Sequence, residues 1–207
     1  MKDIKAAHKT FYDRNANDRD AGERQAWKDP VRDGFLKRIL GEGKTSLLEI
    51  GAGPGKDSRF FMDNGLCVAA VDLSGEMVKL CREKGVEAYE RDFYTLSGLG
   101  RTFDCVWSMN CLLHVPKADL PLVLAEIDAV LNPAGLFHYG VYGGADIEET
   151  WDDKVYGMPR FYSHLSDETL QAVTSEFFEI VAFDKINTEK GANRKQWNFQ
   201  SLILRKK

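Results

Sequence analysis

Residues 47–61 read LLEIGAGPGKDSRFF, and this stretch constrains the fold more than any other. An apolar run enters glycines at alternate positions, Gly51, Gly53 and Gly55, and a helix-like run follows. Glycine at a strand-to-helix turn admits positive φ and lets a ligand approach the backbone. The amides at the helix start favour an anionic or polar ligand. Glu49 lies inside the apolar run, where a carboxylate is costly without a partner. Facing a crevice at the strand's carboxyl end, it can meet a cationic or hydrogen-bonding group. The spacing is GxGxG, and Lys56 stands where a dinucleotide fingerprint has its third glycine, which argues against a nicotinamide cofactor. Pro54 stiffens the loop and removes one amide donor.

Downstream, strands and helices alternate. CVAAVDL ends in Asp72, VEAYERDF ends in Asp92-Phe93, and FDCVWSMN ends in Met109-Asn110. Ser74 caps one helix, and Gly65 and Gly85 stop two. Leu120, Val123, Leu124, Ile127, Val130 and Leu131 form a helical stripe, NPAG reads as a turn, and GLFHYGVY as a fifth strand. Upstream, Pro30 opens a helix bearing Val31, Phe35, Leu36, Ile39 and Leu40. This rhythm predicts a parallel sheet covered by helices on both faces. After Tyr142 it lapses: residues 143–165 read as a long loop carrying Trp151, Tyr156, Arg160, Phe161 and Tyr162. Ser166 then starts a helix, and FEIVAFDKI and WNFQSLILRK form an antiparallel hairpin around the polar turn TEKGANRKQ.

The 207 residues suit one domain, residues 1–207, with residues 1–30 as a polar arm over it. A net charge of −4 argues against nucleic acid as the main partner, and the basic pair Arg194-Lys195 is too small to reverse that. The four cysteines form no CxxC pair and read as free thiols packed as small hydrophobes, with no metal site implied. No apolar run approaches the roughly 20 residues of a membrane span, and the first residues carry no signal-peptide pattern. A cytoplasmic protein, monomeric or homodimeric, is the expectation.

The ordered series EIGAGPG, VDLSGEM, RDF, FDCVWSMNCLLHV and LNPAGLFHYGVY resembles the class I S-adenosylmethionine-dependent methyltransferases, of the type acting on small molecules, over roughly residues 30–142. The resemblance implies a Rossmann-like, doubly wound α/β sheet of seven strands, order 3-2-1-4-5-7-6, with strand 7 antiparallel. It implies S-adenosyl-L-methionine as cofactor and S-adenosyl-L-homocysteine as product. Carried onto this chain, it places Glu49 at the methionine end and lays the cofactor against Gly51, Ala52, Gly53 and Gly55. Asp72 then takes the ribose hydroxyls, with Leu73 and Met77 on the adenine side. Asp92 takes the adenine amine beside Phe93. Met109 and Asn110 border the methionyl moiety, and Asp57 is a cofactor contact or a support behind one.

Transfer of an activated methyl is an in-line displacement, so the protein chiefly aligns donor and acceptor. A base is needed only where the acceptor holds a proton, and His114, following strand four, is the candidate. His138 reads as structural. Tyr12, Trp27, Tyr142, Arg160 and Tyr162 are the candidates for the acceptor side, an aromatic set suited to a planar or apolar small molecule. The acidic run DIEETWDD reads as a solvated face; turned inward, it would favour a cationic acceptor such as an amine. The leading function is methyl transfer to O or N of a small molecule. The alternatives are an RNA or protein methyltransferase, or an S-adenosylmethionine-binding protein without transfer activity. SMNC after strand four, in place of an NPPY-like tetrad, argues against an N6-adenine enzyme.

Overall fold

The strand–helix rhythm folds, in a computed structural model that describes residues 2–153, 158–188 and 197–207, into one seven-stranded sheet with helices on both faces. Helices α1 (Lys2–Arg14), α2 (Ala16–Ala21) and α3 (Lys28–Gly41) precede β1 (Ser46–Ile50). Then come α4 (Lys56–Asp63), β2 (Cys67–Asp72), α5 (Gly75–Glu83), β3 (Glu87–Glu90) and β4 (Phe103–Met109). After α6 (Leu120–Ala129) follow β5 (Leu131–Gly143), β6 (Ile147–Asp153) and β7 (Met158–His164). The chain finishes with α7 (Asp167–Phe177), β8 (Phe178–Ile186) and β9 (Asn198–Lys206). The sheet order is β3-β2-β1-β4-β5-β9-β8. The first five strands pair in parallel, and β9 runs antiparallel to β5 and β8. With β8 and β9 counted as strands six and seven, this is the expected order.

The buried strands read as apolar runs because both faces are covered. Leu47, Cys105 and Trp107 pack against Phe35, Ile39 and Phe61 of α3 and α4, whereas Leu48, Ile50 and Val106 pack with Val123 and Ile127 of α6. The chain leaves β1 toward β2 and β3, then returns to build β4 and β5 on the other side. The reversal opens a crevice at the carboxyl ends of β1 and β4, where doubly wound sheets bind ligands.

Four expectations are corrected. The arm is helical, because Ile4, His8, Phe11 and Tyr12 share a stripe that packs Phe11 fully away from solvent. The helix expected at Pro30 starts at Lys28, which leaves proline in the tolerated first turn, and its Leu40 is exposed. NPAG is an irregularity within β5, with Ala134 at φ +56°, between the pairings Phe103–Leu131 and Cys105–Leu136. Within the segment 143–165, β6 and β7 pair as a two-stranded antiparallel ribbon, held by cross-strand neighbours such as Trp151–Arg160 and Glu149–Tyr162. Of the cysteines, Cys67 is exposed, and Cys81, Cys105 and Cys111 are buried. Tyr156 and residues 189–196, with Arg194-Lys195, lie outside the described residues. Among the described residues no helix is long and apolar enough to cross a membrane.

Candidate active site

A cleft of about 720 Å³ opens at the carboxyl ends of β1, β2 and β4, within the roughly 300–1,000 Å³ typical of small-molecule sites. The three loop glycines, alike in sequence, do different work there. All three have positive φ. A Cβ on Gly51 would stand 2.2 Å from the Cβ of Cys111, and one on Gly55 would stand 2.9 Å from the Cys81 Sγ. These two are glycine because the loop packs tightly on the turn after β4 and on α5. Gly53 alone has open space where its Cβ would be, so it offers bare backbone to the cleft. Gly55 is not on the cleft lining.

Asp72 ends β2 at the cleft. Its carboxylate accepts from the backbone N–H of Gly53 at 2.8 Å and of Ser74 at 2.9 Å. Burial nevertheless raises its carboxyl above the usual range. Leu73 lines the same wall, but Met77 is fully buried behind the Ser74 cap and does not reach the cleft. Glu49 is buried on the α4 side, where Ser58 Oγ donates to it. Burial, reinforced by the Asp57 carboxylate, raises its carboxyl well above the ordinary value. Asp57 also lines the cleft and accepts from Arg24, itself on the lining, from Arg32 at 3.4 Å and from the Trp107 indole at 3.2 Å. Met109 and Ala52 complete the floor.

Asn110 stands in the left-handed region at φ +58°, and its amide oxygen is buried without a hydrogen-bond partner among the described residues. A positive φ outside glycine and an unanswered buried acceptor are both costly, and both point at a donor that the cleft is built to receive. Asp92 and Phe93 border a small neighbouring cavity beneath α1, and Phe93 reaches the cleft as well. Asp92 is paired with Lys5 of α1 at 2.6 Å. Lys9 and Asp13 extend this clasp, through Lys9 to Glu90 at 2.7 Å and Ser74 Oγ to Asp13 at 2.6 Å.

The opposite end of the cleft gathers Tyr12, His114, Tyr142, Arg160 and Tyr162 from four separate segments. Trp27 is not on the lining; it packs behind Tyr142 at 6.0 Å and Phe199 at 4.7 Å. His114 Nδ1 lies 2.9 Å from the carbonyl of Phe161, which can only accept, so Nδ1 carries the proton. Its Nε2 then accepts from the Tyr12 hydroxyl at 2.7 Å. His8 accepts the Phe161 N–H on Nε2 at 3.2 Å, and its ring centroid lies 4.3 Å from that of His114. Two neutral histidines therefore hold the backbone of one residue, Phe161, one at its N–H and the other at its carbonyl. Burial lowers His8 to about 4 and His114 well below its ordinary value, the latter helped by His8, Arg160 and Arg19. His138 is buried, stacked on Trp107 at 4.0 Å, and structural as expected.

The residues not anticipated from sequence are Lys5, His8, Arg19 and Arg24. Only His8 carried a signal, four residues before Tyr12 on one helical face. Two acids of the acidic run, Glu148 and Asp146, turn toward Lys117. Glu148 accepts from the Lys117 backbone and Asp146 pairs with the Lys117 side chain at 3.2 Å, and neither these nor Glu149 lines the cleft.

Residues 47–135 match a family model described as a methyltransferase domain. The chain is 27% identical over 154 residues to a malonyl-[acyl-carrier protein] O-methyltransferase of Enterobacter lignolyticus, a match covering 70% of this chain and 60% of that one. The chain thus spans less than two thirds of that relative's length. A 1,6-didemethyltoxoflavin-N1-methyltransferase of Burkholderia thailandensis, solved with 1,6-didemethyltoxoflavin and S-adenosylhomocysteine, superposes with a TM-score of 0.74 at 23% identity. That likeness covers 97% of this chain and 88% of the other. A DhpI complex with S-adenosylhomocysteine gives a TM-score of 0.77 at 19% identity, covering 100% and 98%.

Proposed function

Because the chain belongs to the class I S-adenosylmethionine-dependent methyltransferase family, we propose that it moves a methyl group from S-adenosylmethionine to oxygen or nitrogen of a small-molecule acceptor in the cytoplasm. The observation that carries this reading is the Gly53–Asp72 pair. A bare backbone faces the cleft, and its N–H fixes a carboxylate at the end of β2. The unanswered Asn110 oxygen fits the same occupant.

When bound, the cofactor supplies an activated sulfonium methyl; the protein supplies position and electrostatics. Asp72, oriented by two backbone donors, accepts the ribose hydroxyls. Glu49, whose protonated form burial and the Asp57 carboxylate favour, becomes a carboxylate against a cationic group at the methionine end. Asn110 accepts the donor that its oxygen lacks. Phe93 and Leu73 flank the adenine, and Asp92 takes its amine once Lys5 yields or shares it. The α1 clasp and the β6–β7 ribbon exclude water from the acceptor end.

Calorimetric titration with S-adenosylmethionine, S-adenosylhomocysteine and NADH tests the reading. Micromolar binding of the first two and none of NADH is expected. Asp72→Ala should weaken binding by on the order of 1–3 kcal/mol, the loss of buried charged hydrogen bonds. Failure of both sulfur compounds to bind refutes the proposal. Binding without turnover of any small acceptor favours a non-catalytic binder, and a salt-steep affinity for RNA favours an RNA substrate.

A further inference from the structure

We propose that His8 is a positioning residue: by holding Phe161 it fixes which nitrogen of His114 carries the proton, and so leaves the Tyr12 hydroxyl no proton to give a ligand. A ligand group that hydrogen-bonds Tyr12 then has to bring its own N–H or O–H. Applied to a methyl acceptor, the inference rests on the methyltransferase reading above and narrows it.

Each bond of the chain has a direction set by its partner. The Phe161 N–H can only donate, so His8 Nε2, 3.2 Å away, is the bare nitrogen of its ring. The Phe161 carbonyl can only accept, so His114 Nδ1, at 2.9 Å, carries a proton. Burial disfavours a second proton on His114, which leaves Nε2 to accept from the Tyr12 hydroxyl at 2.7 Å. A phenol has one proton, and this one points at His114. Arg160 is placed to hydrogen-bond the same oxygen, and a guanidinium can only donate, so both neighbours address Tyr12 in the same sense. His8, Tyr12 and His114 all line the cleft.

His8 lies four residues before Tyr12, so α1 presents both on one face. The N–H of Phe161 is thus tied to α1 directly, and its carbonyl is tied to α1 through His114 and Tyr12. The two imidazole rings lie 4.3 Å apart, and burial disfavours the charged form of each. In a free histidine side chain the single proton favours Nε2. Here contact with Phe161 holds both rings in the opposite tautomer, Nδ1–H. Without an acceptor at position 8 the Phe161 N–H loses its partner, β7 is released from α1 at this point, and the carbonyl that sets His114 is freed with it. Were His114 to return to Nε2–H, its proton would point at Tyr12, and the Tyr12 proton could turn to the cleft. The polarity that a ligand meets there would invert.

The test is NMR of the full chain, labelled on its histidine nitrogens, at about pH 7 without ligand. His8 and His114 should both be neutral, with Nδ1–H exceeding Nε2–H by about tenfold or more, and the Tyr12 hydroxyl proton should show scalar coupling to His114 Nε2. His8→Leu removes the acceptor; it should lower the His114 tautomer ratio at least about threefold and speed exchange of the Tyr12 hydroxyl proton about tenfold or more. His8→Gln, whose amide oxygen can take the Phe161 N–H, should bring both back to within about twofold of the parent. His138, stacked on Trp107, reports whether each variant is folded. Nε2–H at His114 in the parent, or no coupling from the Tyr12 proton to it, overturns the inference. So does a folded His8→Leu that leaves His114 and Tyr12 unchanged, or a His8→Gln that behaves as His8→Leu. Should His8→Leu not fold, the parent decides: coupling from the Phe161 N–H to His8 Nε2 is expected, and its absence overturns the inference. All of this is read without cofactor, so its failure leaves the methyltransferase reading standing. Failure of S-adenosylhomocysteine to bind strikes that reading and leaves the hydrogen-bond chain untouched.

Discussion

Alanine at each loop glycine in turn should separate packing from ligand contact. At Gly51 the φ of +65° makes any L side chain strained, by about 1–2 kcal/mol. The added Cβ would also lie 2.2 Å from Cys111 Cβ and 2.9 Å from its Sγ, far inside carbon–carbon contact. Overpacking of this kind costs about 1–3 kcal/mol, so Gly51→Ala should lose about 2–5 kcal/mol in all. At Gly53 the φ is +55° and nothing lies within 4 Å, leaving only the backbone strain of about 1–2 kcal/mol. Gly55→Ala should fall between, because its nearest contact is the Cys81 Sγ at 2.9 Å with the Cys81 Cα at 3.2 Å behind it. Urea unfolding measures the order, with Gly53→Ala losing least. Cofactor affinity should rank differently: Gly53→Ala puts a methyl group into the cleft and should weaken S-adenosylhomocysteine binding about tenfold or more.

The cause at Gly51 can be tested separately. Cys111→Ala removes the Sγ but keeps the Cβ, so it should leave Gly51→Ala nearly as unstable as before. Cys111→Gly removes both, and a double-mutant cycle should show a coupling of about 1–3 kcal/mol. Full rescue by Cys111→Ala, or Gly51→Ala as stable as Gly53→Ala, would refute the packing account of this loop.

Two further predictions concern buried titratable groups. Glu49 should lose a proton when a cation enters beside it; below neutral pH, calorimetry in buffers of different ionisation enthalpy should show proton release on S-adenosylmethionine binding, absent in Glu49→Gln. Equal release in the variant would remove Glu49 from the methionine end. His138 is lowered to about 3 by burial, whereas the unfolded chain takes up its proton near 6.5. Its contribution is therefore whole above about pH 6.5 and lost as pH falls toward the folded value, about 2 kcal/mol of it by about pH 5. His138→Phe, which keeps a ring on Trp107, should lose about that much less stability than the parent between about pH 7 and about pH 5; parallel losses would show that the imidazole does not resist charging.

The sheet was legible because its information is local. Strands β1, β2 and β4 are apolar runs, β1 ending at Gly51 and β2 at Asp72, and helices α4 and α5 are stopped by Gly65 and Gly85. Asp72, Met109 and Asn110 could be placed at the cleft for the same reason: they end strands whose order the alternation predicts. Met77 and Trp27 show the limit. Met77 is one helical turn past a correctly placed cap, yet faces the core. Trp27 lies near the right segment but supports Tyr142 from behind. Helix α1 escaped notice because its buried stripe includes His8 and Tyr12, residues that count as polar in a periodicity scan. The ribbon β6–β7 escaped because the acids of β6 come in pairs, Glu148-Glu149 and Asp152-Asp153, which breaks the two-residue alternation that marks a strand, and its pairing depends on rings contributed across the strands and by Trp197.

The acceptor end differs in kind from the cofactor end. Its geometry depends on α1, the turn after β4 and β7 meeting at one residue, Phe161, through its N–H and its carbonyl. None of the three segments specifies the state of His114 alone. The histidine stands where the sequence suggested, at the mouth of the crevice, but its protonation is decided by a carbonyl from β7, a hydroxyl from α1 and neighbouring positive charge. A titratable residue read in isolation carries its solution chemistry; in this fold its partners have taken both lone-pair and proton.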